Sequence, residues 1–149
     1  MKNALLALLL APAVLAGCET THKTPAAATA PRPEGITNKY WKLVTLEGQP
    51  VTMAPDQERE AYFMLKDSSR VAGFGGCNVL NGSYELQAGP QRLRFTNLLT
   101  TLKACPGPSQ EPAFLQVLNQ TDNYTVRGDT LLLNVGRRAP LAVFHAVYF

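Results

Sequence analysis

Before Tyr40 the sequence has no aromatic residue: its one Trp, five Tyr and six Phe all lie at or after that position. A stretch so poor in large apolar rings cannot supply a core, so folding is expected from about residue 40 onward. Charge is also scarce, at 17% of the 149 residues against 46% hydrophobic, and that balance excludes a disordered chain. Dense positive charge is missing: 14 Lys plus Arg face 11 Asp plus Glu, and no basic run exceeds the pair Arg137 and Arg138. A dedicated nucleic-acid binder is therefore not expected. Near the N-terminus the uncharged stretch Ala4 to Gly17 covers only 14 residues, where a membrane-spanning helix needs about 20. Histidine is limited to His22 and His145, and no Gly-x-Ser-x-Gly occurs, so a His-based triad would rest on His145 alone. His145 reads as an ordinary strand residue, and neither a catalytic residue nor an enzyme is expected.

The N-terminus is rich in targeting signals. Met1-Lys2-Asn3 gives a short positive start, an apolar segment follows, and Leu15-Ala16-Gly17-Cys18 closes it. The tetrad resembles the bacterial lipobox, in which small residues precede a Cys that is acylated and becomes residue one after cleavage. It predicts a signal peptide over 1–17, a lipidated Cys18 carrying palmitate-like chains, and a tether over 18–37. Several acyl chains on one terminus exceed the two-signal requirement for stable anchoring. Glu19, where Asp would resemble an inner-membrane retention signal, points to the outer membrane facing the periplasm. Glu19 to Thr37 holds three Pro, and as a flexible coil it would span roughly 25 Å.

Residues 38–149 read as short strands and one helix. Tyr40 to Leu46 alternates with Trp41, Leu43 and Thr45 on one face, and Ala61 to Lys66 does so with Ala61, Phe63 and Leu65. Val71 to Gly75, Ser83 to Gln87, Arg92 to Phe95, Tyr124 to Arg127, Thr130 to Asn134 and Leu141 to Val147 are further strands between turn signals. The helix is expected over Gln110 to Asn119, with Ser109 as cap, Glu111 in the first turn, and Phe114, Val117 and Leu118 on one face. A single helix cannot alternate with eight strands, so the fold class is mainly β: a compact antiparallel barrel or sandwich with one packed helix.

With Cys18 lipidated, Cys77 and Cys105 remain, and in an exported domain two cysteines usually pair. A bond between them would restrict the unfolded chain by about 3.5 kcal/mol in the loop-entropy picture. A redox or metal pair is the alternative, but there is no Cys-x-x-Cys and no adjacent His. Alternate acids Asp56, Glu58 and Glu60 read as a solvated loop face, since they would hold a cation only in a tightly curled loop. No metal or cofactor is expected.

Gly73-Phe74-Gly75-Gly76-Cys77-Asn78, followed by Gly82-Ser83-Tyr84, resembles the META domain family, which includes HslJ-like bacterial lipoproteins. The similarity continues through Trp41-Lys42-Leu43, Phe63, Thr101-Leu102-Lys103-Ala104-Cys105, Glu111, Phe114 and Leu118, and ends in Gly128-Asp129 with Leu131 and Leu133. It implies a compact β fold with a helix and associations with heat shock, novobiocin resistance and virulence, without a known reaction. The glycines mark a sharp bend, a positive φ or a close approach, and their pattern fits neither a dinucleotide nor a phosphate loop. Gly73, Gly75, Gly76 and Asn78 are candidate interaction residues, although an Asn at such a bend usually bonds local backbone. Two functions follow: an envelope stress protein that contacts another protein through a barrel edge or the Gly-rich loop, or a module for a small apolar ligand in the barrel mouth.

Overall fold

The computed structural model describes residues 35–89, 91–105 and 107–149; the expected signal peptide, Cys18 and nearly all of the tether lie outside the described residues. The order is β1 (Tyr40–Leu46), β2 (Gln49–Pro50), β3 (Tyr62–Lys66), β4 (Arg70–Phe74), β5 (Val79–Gln87), β6 (Arg92–Thr100), α1 (Glu111–Gln120), β7 (Asn123–Arg127), β8 (Thr130–Asn134) and β9 (Ala142–Val147). Neighbouring strands are antiparallel, as the hairpin spacing predicts, and β1 also pairs with β9, so the sheet closes into a ring. Between β6 and β7 the ladder thins to the single pair Arg92 and Asn123, and α1 packs on β6.

Aromatic rings fill the middle of the ring. Phe63 lies edge-on to Phe144 at 4.9 Å and to Phe95 at 5.5 Å, and Phe114 of α1 reaches Phe144 at 6.1 Å. Ala61, Phe63, Leu65, Phe114, Val117 and Leu118 are buried as their spacing predicts. The β1 face differs in one residue. A register shift against β9 between Leu43 and Thr45 turns the strand, so Leu46 takes the buried place that simple alternation gives to Thr45. Ile36, placed in the tether from sequence, belongs to the core: it is 2% exposed, and its carbonyl accepts the Trp41 indole N–H at 2.8 Å.

β5 starts at Val79 rather than Ser83 and β6 continues to Thr100 rather than Phe95, with Gly82 inside the paired ladder. A Cβ on Gly82 would come within 2.7 Å of the Leu98 side chain, a close approach only glycine allows, and the β5–β6 register shifts at this place. At the start of α1 the N-cap is Gln110 rather than Ser109, though the Ser109 hydroxyl still accepts the Glu111 N–H at 3.2 Å.

Register also separates two rims. Tyr40 lies opposite Val147, Lys66 opposite Arg70 and Gln87 opposite Arg92, so one rim holds the arriving chain, two hairpin turns and the C-terminal residues. At the other rim Phe74 lies opposite Val79 and Leu80 opposite Thr100. There the Gly-rich bend meets the loop that leads into α1.

Candidate functional site

Each glycine of the bend has its own steric reason. A Cβ on Gly73 would collide with the Tyr62 carbonyl of the adjacent strand, one on Gly75 would sit 2.6 Å from the Glu111 carboxylate, and Gly76 has φ +108°. The chain can then turn from β4 into β5 while α1 lies against the turn.

Asn78 follows the bend and is 5% exposed. Its backbone N–H donates to Glu111 Oε2 at 2.6 Å, and its Nδ2 donates to Glu111 Oε1 at 2.9 Å and to the Lys103 carbonyl at 3.3 Å. Its Oδ1 accepts the Thr101 hydroxyl at 2.8 Å and the Lys103 N–H at 2.7 Å. These partners lie 23 to 33 residues away, so Asn78 ties the helix start and the 101–105 loop to the bend instead of bonding local backbone. The amide has no capacity left for a ligand. Beside it the Sγ atoms of Cys77 and Cys105 are 2.05 Å apart, at disulfide distance. Glu111, read from sequence as a dipole partner of the helix, is a buried acceptor for Asn78. Its sequence signal was the acid in the first turn, but nothing local shows that the carboxylate points inward.

A groove of about 380 Å³ opens over this assembly. Phe74, Gly76 and the two cysteines line it together with the 52–58 loop and residues 108–110; among the four candidate interaction residues, Gly76 alone lines it. Its charges are Asp56 and Glu58 on one loop and Lys103 on the other. Glu58 already pairs with Arg59 at 3.2 Å, while Arg59 lies over the Phe74 ring at 5.7 Å. Gln110 also lines the groove, and its Nε2 is buried without an acceptor. Such an unpaired donor costs about 1–3 kcal/mol. Val79, Leu99, Leu102 and Met53, none of which lines the groove, are exposed on the strand ends and loops of this rim, Leu102 almost wholly at 98%.

Among the other sequence candidates, His145 and Glu60 do not line the groove, whereas Asp56 and Glu58 do. His145 is an exposed residue of β9 opposite Lys42 and Thr130. Asp56, Glu58 and Glu60 remain in an irregular loop, and among the described residues no group of three or more His, Cys, Asp or Glu is placed to hold a metal ion.

Comparisons with known proteins agree with this architecture. The family model for the META domain matches residues 34–148. A protein from Burkholderia xenovorans solved by NMR is 25% identical with a TM-score of 0.58, over 83% of this chain and 96% of that one. Another NMR structure shares 18% identity and a TM-score of 0.58 over 76% and 93% of the two chains. A DUF4847 family protein from Bacteroides vulgatus, a crystal structure, shares 16% identity and a TM-score of 0.52 over 76% and 94%. No curated protein matches. With its fold, its bend and nearly all of the folded region accounted for by one family, the chain belongs to the META domain family.

Proposed function

We propose that this is a lipid-anchored envelope protein, held through Cys18 at the outer membrane and facing the periplasm, whose META domain acts by non-enzymatic contact with another envelope protein. The setting is heat or envelope stress and tolerance to novobiocin-type antibiotics, following the family resemblance. One observation carries the contact reading: the far rim gathers a groove and the exposed Val79, Leu99 and Leu102, while the interior is filled by Trp41, Phe63, Phe114 and Phe144, each 0% exposed. Several exposed apolar side chains at one rim mark a contact site more often than isolated ones do. A filled interior speaks against the alternative in which a small apolar compound enters the barrel, and leaves the groove as the place where such a compound would bind.

The test combines localisation and challenge. Wild-type protein should fractionate with outer membranes, and Cys18→Ser should release the domain still folded. In a deletion strain under novobiocin or heat, His145→Gln should restore tolerance. Leu102→Asp, whose side chain is exposed and supports no core contact, should fold with an unchanged melt and fail to restore it. A folded His145→Gln protein that fails would refute the non-enzymatic reading, and full rescue by Leu102→Asp would move the contact away from this rim.

A further inference from the structure

We propose that the groove receives an extended peptide segment of the partner, with an apolar side chain on Phe74 and the Cys77–Cys105 pair, a basic side chain toward Asp56 and an acidic one toward Lys103. The inference rests on the reading that the domain works by contact, and it names the chemistry of what is contacted.

Charge on the two loops is the first argument. Among the described residues neither Asp56 nor Lys103 makes an ion pair, whereas Glu58 is engaged by Arg59. Lys103 is also held in place: Asn78 takes both its N–H and its carbonyl, so the loop backbone is fixed while the side chain lines the groove. A positive side chain on a loop whose backbone is anchored, and a negative one on the loop across from it, select an occupant with both signs, separated by an apolar residue. Apolar surface lies between them, from Phe74 and the cysteine pair.

The second argument is the Gln110 amide. Its Nε2 is covered and has no acceptor, so a turn of the side chain into the groove would bring that donor to a carbonyl, and an extended backbone offers one at every residue. An inorganic anion is disfavoured by Asp56 and Glu58 on the same lip.

The probe is a set of fluorescent, end-blocked hexapeptides with a central Phe flanked by Lys and Glu, in both orders, with Ala-for-Phe controls, titrated against the full lipidated chain in detergent. One order should bind saturably and shift the amide resonances of Gly76, Ala54 and the Gln110 side chain. Lys103→Glu and Asp56→Lys, both on exposed residues, should each weaken binding by about tenfold, and the double reversal should prefer the opposite peptide order. Equal binding of Phe and Ala peptides, indifference to both reversals, or shifts confined to the Tyr148 rim would overturn the inference. Cross-linking of a partner at Leu102 without affinity for any peptide would also overturn it and leave the contact reading intact. Absence of both would remove the two together.

Discussion

Asn78 is the residue on which the far rim depends, because its backbone N–H and side-chain amide serve Glu111, Thr101 and Lys103 together. Asn78→Ala should leave the buried Glu111 carboxylate short of a donor and cost about 2–4 kcal/mol, a fall in melting temperature on the order of 10 °C. A calorimetric melt checks it, and a loss below about 1 kcal/mol would mean that water replaces the amide without penalty. Asp122 gives the pH dependence. Burial raises its pKa, but the Gly136 N–H, the Asn123 side chain and the nearby Arg92 and Arg94 outweigh that and hold it below the ordinary value. A carboxyl depressed in the fold stabilises above its unfolded pKa and loses that stabilisation as pH falls through the folded one. Asp122→Asn should thus be less stable than wild type at pH 7, and the gap should close in acid below about pH 4. Equal stabilities at pH 7 in urea titrations would count against it.

At the scale of elements, the glycine bend and the cysteine pair make separable predictions. Gly73→Ala meets the rigid Tyr62 backbone, whereas Gly75→Ala meets the Glu111 side chain, so Gly73→Ala should be the more destabilising in denaturant unfolding. Replacing Cys77 and Cys105 by Ser should cost up to about 3.5 kcal/mol by the loop-entropy argument. The Lys103 amide resonance should nevertheless keep its position, because Asn78 holds that loop independently of the sulfur pair. Periodicity made β3, α1 and the first half of β1 readable, since each buries one regular face. It could not reveal the β1 shift that exchanges Thr45 for Leu46, or Gly82 inside β5, because both depend on what the neighbouring strand presents.

For the whole molecule, closure of the sheet through β1 and β9 places the Gly-Cys-Asn bend and the Thr101 to Cys105 segment side by side, although 22 residues separate Val79 from Thr101. Sequence marked both segments through a resemblance without showing why they belong together. Thr101 answers this directly, as its hydroxyl donates to Asn78 and accepts the Val79 N–H. The groove was not legible at all, since its walls come from three distant loops and its unpaired Gln110 amide exists only in the fold. The same topology gathers the glycine bend, the 101–105 loop and the start of α1 at one rim, and from this comes the central claim that the far rim is the working surface of a tethered contact domain.

Photo-cross-linking in the living envelope tests that claim most directly, with the reactive residue placed at Leu102 on the far rim or at Leu86 beside the Gln87 to Arg92 turn at the other end of β5, both exposed. A discrete protein adduct from Leu102 and none from Leu86 is the predicted result. An adduct from Leu86 alone, or none from Leu102 under heat or antibiotic stress, would contradict the account.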